Sequence, residues 1–355
     1  MKVPKFALNR HDISSVRAFA QCVLKSEQCG WDAAFLPDSQ LLRRDTYVLL
    51  AAAAQITGTI HLGTLLTNPV TRHPTVTASS IATVAELAPG RTLLGAGIGD
   101  TAVRLAGLKP ARIKELEQSI VMMRCLLAGK DVEVGAPRPA NLPFSQDVPV
   151  WVAAGGPKTL QMAGGCADGV FIRVGTHPEN IKISVDRIRL GAADAGRDPE
   201  EVKIGAVFHT VFVEEPEEAL LMGKSMAAGY YEYSPMLMDN IGMDWNGPHP
   251  DEFKSQEKVW PDFHHAPDLV DSGRYVDFLS EAQATAFCLK GTAEDISSQL
   301  AKVVIDASKL GVELEYVVLH PIPDPLWCDA EGESYMERVP REVFPKVEAL
   351  LLDTF

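Results

Sequence analysis

The segment from Ile60 to Asp100, IHLGTLLTNPVTRHPTVTASSIATVAELAPGRTLLGAGIGD, constrains the fold more than any other part of this chain. Ile60–Leu66 is an apolar, β-rich run that stops at Thr67-Asn68-Pro69, where a proline cannot continue a central ladder. His73-Pro74 then opens a helix, with Pro74 where its missing N–H costs nothing. Val76, Ile81, Val84 and Leu87 recur at helical spacing and predict that helix's buried stripe. Pro89-Gly90 ends it, and Arg91–Ala96 is a second apolar strand closed by Gly97-Ile98-Gly99-Asp100. Two buried strands joined by a helix make a parallel βαβ unit.

The same alternation runs along most of the chain. Strands are expected to start near residues 3, 31, 60, 91, 150, 168, 202 and 315, each but the last followed by a helical pattern before the next. Eight βα units in 355 residues fit an α/β fold of the (β/α)8 TIM-barrel type better than an open sheet. The pattern breaks from Gly229 to Ser280, an aromatic, proline-rich stretch read as an insertion or lid before the last strand of a single domain spanning 1–355.

With 46% hydrophobic and 23% charged residues, the chain has ample material for a core. A net charge of −14 argues against nucleic acid or an anionic membrane as the main partner, while leaving room for a local anion pocket. No apolar run is long enough to span a bilayer, and the N-terminus lacks the apolar core of a signal peptide. The six cysteines form no CxxC pair and read as reduced thiols of a cytoplasmic protein.

Barrels keep their chemistry at the C-terminal ends of the strands. Read there in turn, the chain offers Asn9, Arg10 and His11; Asp38 and Ser39; Thr67, Asn68, Thr71, Arg72 and His73; Gly97, Gly99 and Asp100; Gly155 to Thr159; Arg173; His209; and His320. Gly155-Gly156-Pro157-Lys158-Thr159 is the best anion site, because glycines admit a phosphate to a helix N-terminus. A plain strand-to-helix turn accounts for it equally well. Close packing explains Gly97-Ile98-Gly99 better than a dinucleotide fingerprint, whose third glycine is missing. His209 reads as a core histidine, and His264-His265 lacks the spacing of a metal site. No Ser-His-Asp order or GxSxG elbow supports nucleophilic hydrolysis.

Three stretches carry a resemblance: Thr67–Asp100, Val148–Gly175 (VPVWVAAGGPKTLQMAGGCADGVFIRVG) and Lys290–Val312 (KGTAEDISSQLAKVVIDASKLGV). Together they resemble the bacterial luciferase-like superfamily, closest to the branch of the coenzyme F420-dependent methylenetetrahydromethanopterin reductase. The resemblance implies a luciferase-like barrel with a deazaflavin or flavin ring at its mouth. In this family the strand carrying Leu65-Leu66 often has a bulge with a non-proline cis peptide behind the ring; Leu65 stands where the reductase has glycine, so the resemblance leaves both cis and trans open here. Asp38 matches the family's acid after the second strand; the histidine that often follows it is Ser39 here. Asn68, Gly97, Gly99, Gly155, Gly156 and Pro157 match cofactor-side positions, which Asp100 and Thr159 flank.

The function expected on this basis is hydride transfer with coenzyme F420 on a small organic substrate. The alternatives are an FMN-dependent monooxygenase fed by a partner flavin reductase, and a non-catalytic flavin-binding barrel. A phosphate-binding barrel lyase ranks lower, since only Lys158 and isolated acids stand at the strand ends. Asp38, Ser39 and Asn68 are expected to hydrogen-bond the ring or relay a proton. His11, His73 and His320 are candidate acids or bases. Arg72, Lys158 and Arg173 are expected to form a positive patch for phosphate. Tyr230, Tyr231, Met236, Met238 and Trp260 suggest an apolar or aromatic substrate, and the apolar helix Tyr47–Gln55 suits a homodimer interface or the barrel core.

Overall fold

In the computed structural model, which describes residues 2–9, 15–256, 258–322 and 335–353, the apolar runs become nine parallel strands. They are β1 (Lys5–Asn9), β2 (Ala33–Leu36), β3 (His61–Thr67), β4 (Thr92–Ala96), β5 (Val150–Ala154), β6 (Gly169–Ile172), β7 (Lys203–Phe212), β8 (Leu289–Gly291) and β9 (Leu314–Ile322). Eight of them close a barrel in the order β1 to β7 and then β9, which pairs back onto β1 through Lys5↔Tyr316 to Leu8↔Leu319. Helices connect the strands around the outside, as right-handed crossovers of parallel strands require.

Alternation along each strand divides the core in two. Ala7, Phe35, Leu93, Trp151, Phe171, Val207, Tyr316 and Val318 point inward and fill the lumen. Four of their rings interlock, with centroids 5.4 Å apart for Phe35–Phe171, 4.6 Å for Trp151–Phe171 and 5.5 Å for Trp151–Tyr316. Room for them comes from missing side chains: a Cβ on Gly169 would stand 2.3 Å from Trp151, and one on Gly205 would stand 2.6 Å from Phe171. The outward residues pack beneath the helices in the larger core.

The structure departs from the sequence reading in five places. The helix after β3 spans Pro74–Leu87, but Val76 and Leu87 are exposed; Thr77, Ala78, Ile81, Ala82, Val84 and Ala85 form its buried face. A helix laid on a barrel approaches closely through small residues, which a search for large apolar ones overlooks. A short helix, Thr101–Leu105, follows the Gly97–Asp100 turn. The stretch from Gly229 to Ser280 is more regular than expected: the helix Pro216–Tyr233 runs into it, and Met236–Asp239, Pro250–Ser255 and Leu269–Tyr275 are helical. The apolar pattern near the C-terminus, which on its own predicts one last helix over about Pro340–Leu352, forms two, Tyr335–Glu342 and Phe344–Leu352, divided beside Pro340 and Pro345.

The fifth departure is β8, three residues with no counterpart among the eight expected strands. Its partner β7 is long enough to pair at two heights. Gly169 to Ile172 of β6 pair with Lys203 to Ala206, whereas β8 takes Thr210 to Phe212. Along the opposite edge, β9 follows β7 from Ile204 to Val211.

Candidate active site

The mouth of the barrel is built by carrying the same alternation one step further. Asn9, Arg173, His209 and His320 follow Ala7, Phe171, Val207 and Val318 at a spacing of two, so they form the polar layer above the apolar lumen. Asn9 Nδ2 lies 3.1 Å from His320 Nδ1. The His320 ring stands edge-on to His209, with centroids 5.2 Å apart. Arg173 Nη2 lies 2.9 Å from His209 Nε2. A guanidinium only donates, so Nε2 accepts and His209 carries its proton on Nδ1. Burial keeps that imidazole neutral, far below its ordinary pKa, and the charge of Arg173 acts in the same direction.

The insertion completes this side. Tyr230 and His264 pack on His209, with ring centroids 5.5 and 5.1 Å away. His264 fits only because residue 229 is glycine, whose Cβ would stand 2.6 Å from the imidazole. Tyr233 stacks on His264 and donates from Oη to Asp262 Oδ2 at 2.9 Å, while His265 Nδ1 holds Asp262 Oδ1 at 2.8 Å. Despite the desolvation of burial, His265 and Tyr233 keep Asp262 below the usual carboxylate range. Of the other residues read as a substrate lining, Tyr231 stacks on Trp245, Met238 is buried within the insertion, and Trp260 is 72% exposed. Only Tyr230 reaches the mouth cluster.

Across the mouth, β3 is irregular. Its register against β4 shifts between Thr64 and Thr67, and the Leu65-Leu66 peptide, left open by the sequence, is cis. At the bulge, the Thr64 hydroxyl replaces the ladder, donating to Gly95 O at 2.7 Å and accepting from Gly95 N at 3.0 Å. Leu65 drops into the lumen core and Leu66 lies half-buried against it. Asp38 N donates to Leu66 O, and Gly97 N donates to Thr67 O. A side chain on Gly97 would meet the Leu66 methyls at 3.2 Å. Leu66 and the bare backbone of Gly97 therefore form a continuous surface at the ends of β3 and β4.

Asp38 is buried beside this surface. Thr67 Oγ1 donates to its Oδ2 at 2.7 Å, and Arg72 Nε stands 3.5 Å from the same oxygen. Burial raises its pKa above the ordinary carboxylate value, an effect that the Thr67 hydrogen bond and Arg72 charge only partly offset. Arg72 itself is held by Asp45 Oδ2 at 2.7 Å and lies over the Tyr47 ring. Asn68 Oδ1 accepts from the Val70 and Thr71 amides at 3.0 and 2.9 Å, which leaves its NH2 group as the donor available to a ligand. Gly99, at φ +82°, packs against Asn68 where a Cβ would also strike Val103.

Gly156 is the N-cap of the helix Pro157–Cys166, and no side chain caps that helix. A Cβ on Gly156 would meet nothing within 4 Å. Gly156 is exposed, and among the described residues no acceptor is bonded to the first amides after Pro157, which leaves them free for a phosphate. Lys158 is exposed beside it and forms no ion pair among the described residues. Of the remaining expected residues, Thr159 is half-buried in the first turn and Ser39 lies in the turn after β2. Asp100 is exposed and paired with Arg104. His73 points its imidazole at its own helix, capping Thr75 N at 3.3 Å. His11 lies outside the described residues.

Residues 1–307 match the family model described as luciferase-like monooxygenase. The chain belongs to that family. Among its luciferase-like relatives, the 5,10-methylenetetrahydromethanopterin reductase of Methanolobus tindarius is 34% identical over 229 residues, 62% of this chain and 69% of the relative. The coenzyme F420-dependent tetrahydromethanopterin reductase structure from Methanopyrus kandleri superposes with a TM-score of 0.72 at 22% identity, over 97% of this chain and 99% of that one. An F420-dependent secondary alcohol dehydrogenase, in complex with an F420–acetone adduct, superposes with a TM-score of 0.68 at 16% identity, over 98% and 99% of the two chains. The luciferase-like barrel expected from the sequence is the observed fold, with β8 added. Among the described residues, no helix is long and apolar enough to cross a membrane, and no cluster of His, Cys, Asp or Glu is arranged to hold a metal.

The sequence missed His264. Nothing in a His-His pair within an irregular stretch announces that one ring enters a barrel mouth. The glycine at 229, three residues before an acid and a tyrosine in a helical pattern, was the one signal for close approach.

Proposed function

We propose that this protein is an oxidoreductase that binds coenzyme F420 at the barrel mouth and exchanges a hydride with a small organic substrate. The observation that carries the reading is the helix N-terminus at Gly156 without a side-chain cap, following β5, the neighbour of the strand β4 after which the Gly97 backbone joins Leu66 in a continuous surface. That pairing suits a cofactor with a planar ring at one end and a phosphate at the other. The reductases and the dehydrogenase named above support F420 over FMN.

In this reading the Gly156 loop and Lys158 hold the phosphate, Leu66 and Gly97 support the ring from behind, and the Asn68 NH2 group donates to its polar edge. When bound, the deazaflavin supplies or accepts the hydride. Asp38 holds a proton at Oδ1, since Thr67 already donates to Oδ2. Its raised pKa keeps that proton closer to neutral pH than a surface carboxyl would. The insertion bearing Tyr230 and His264 covers the β7 side and excludes water. Exposed Leu41, Leu42 and Val48, on and before the helix Thr46–Ala54, form the contact face of a homodimer in the cytoplasm.

Fluorescence titration of the purified protein with F420, FMN and reduced FMN tests the reading. Micromolar F420 binding with negligible affinity for either FMN form is expected. Preference for reduced FMN would replace the reading with an oxygen-dependent monooxygenase served by a flavin reductase. Sedimentation of Val48→Lys is expected to yield monomer where the parent is a dimer.

A further inference from the structure

Arg173 is a cation without an acid. Arg72, Arg104, Arg112, Arg124, Arg189 and Arg338 each face a carboxylate, as a chain of net charge −14 would lead one to expect. Arg173 forms no ion pair among the described residues. Its guanidinium donates to His209 Nε2 at 2.9 Å and lies over the Tyr230 ring, 5.9 Å from its centroid. His209 takes one N–H of the fork as a neutral acceptor and adds no negative charge. Around it stand Tyr230, His264 and His320, none of them an anion. Asp262, the acid that the insertion brings to this side, is already taken up by Tyr233 and His265.

The direction of the side chain separates this cation from the Gly156 phosphate position. Gly156 follows β5, on one side of β6, and the backbone oxygen of Arg173 is what faces that side, 3.5 Å from where a Cβ on Gly155 would stand. The guanidinium turns the other way, toward β7. Two places for negative charge therefore lie on opposite sides of β6. A planar fork with donors to spare, fixed at one corner, pairs bidentately with a carboxylate or a phosphate, and the Gly156 helix terminus already offers the cofactor phosphate a separate place, which leaves a carboxylate for Arg173.

We infer that Arg173 binds a carboxylate of the substrate, with His209 as the residue that positions its guanidinium. The inference rests on the oxidoreductase reading of the mouth and adds the substrate class: a small molecule whose reacting carbon stands near the Leu66 surface and which also carries a carboxylate.

Calorimetric titration of the purified protein, without cofactor, with benzoate and with benzamide tests this. Benzoate is expected to bind at least about ten-fold more tightly than its neutral isostere. Arg173→Gln is expected to abolish that preference while leaving F420 affinity within about two-fold, as loss of one charged hydrogen-bonding group from a separate site would. His209→Gln keeps an acceptor for the guanidinium and is expected to retain the preference, whereas His209→Leu loses it. Should Arg173→Gln melt early, Arg173→Lys is read instead: it keeps the charge without the fork and is expected to weaken the benzoate preference, and an undiminished preference overturns the inference. Absence of a benzoate preference in the parent protein overturns the inference. So does an equal loss of F420 affinity in Arg173→Gln, which would return Arg173 to the cofactor phosphate. A benzoate preference in a protein that binds neither F420 nor FMN would support the subsite and sink the cofactor reading instead.

Discussion

Thr67 Oγ1 and Asp38 Oδ2 are 2.7 Å apart, and this one hydrogen bond decides which carboxylate oxygen faces the site. Both residues are buried, and Oδ1 of Asp38 accepts no hydrogen bond from the described residues. Any proton that Asp38 holds therefore sits on Oδ1.

The first prediction concerns Asp38→Asn. The amide keeps the acceptor for Thr67 but cannot ionise, so turnover is expected to fall by roughly 100-fold, the usual worth of a general acid. Stability moves the other way. Because the folded-state pKa is raised, Asp38 is most favourable below its unfolded value, and its contribution is lost as pH rises through the folded one. Asp38→Asn should thus melt above the parent at pH 7, and the gap should close as pH falls toward 4. Melting curves across that range check the sign.

Gly156 gives a cleaner separation of fold from function. Gly156→Asp supplies the missing N-cap and is expected to stabilise the protein by a few tenths of a kcal/mol, about the measured difference between Asp and Gly caps. The same carboxylate occupies and repels the phosphate position, so cofactor affinity should drop by at least about ten-fold. Gly156→Val has open space for its Cβ but is a poorer N-cap than glycine, so it should lower the melting temperature slightly and weaken cofactor binding as well. A cofactor affinity unaffected by either change would place the phosphate elsewhere.

Thr64→Val removes the hydroxyl that completes the β3–β4 ladder at the bulge. Both Gly95 backbone groups would then be buried without a partner there, at a cost of roughly 2 kcal/mol or more. Leu66 lies two residues on, so cofactor affinity should fall along with stability. Denaturant melts and titration on the same sample measure both.

In the lumen, Gly169→Ala would drive a methyl group into Trp151. Overpacking of this kind costs about 1–3 kcal/mol, and the shifted indole should change the intrinsic fluorescence. Cofactor affinity, set two layers higher, is expected to change less than stability does.

Much of this fold was legible because parallel strands buried on both faces read as uninterrupted apolar runs, and β5 is found where the run Val150–Ala154 predicts it. The mouth was legible to the extent that it follows from strand ends, as Asp38, Asn68, Arg173 and His320 show. Chain direction alone does not tell a helix cap from a site residue, and His73 is the lesson. His73-Pro74, His177-Pro178 and His249-Pro250 each open a helix, and in all three Nδ1 accepts from the amide two residues on at 3.3 Å. In His320-Pro321 the histidine instead lies inside β9, where alternation directs it inward. The dipeptide is the same; the following residues decide. The insertion was opaque because its order comes from side chains meeting across long separations, such as Asn180 Nδ2 with Leu237 O and Gln283 Nε2 with Asp244 O.

β7 pairs with β8 above the reach of β6, and the chain between them leaves and rejoins the barrel on that one strand. Residues 213–288 are thus a detour whose entrance and exit share a single stem. Barrel closure runs through β6, β7 and β9 and is indifferent to what the detour contains. His264 reaches the mouth from this detour, while Arg173, His209 and His320 reach it from the barrel itself. The cover over the mouth and the barrel floor beneath it thus occupy separate stretches of chain.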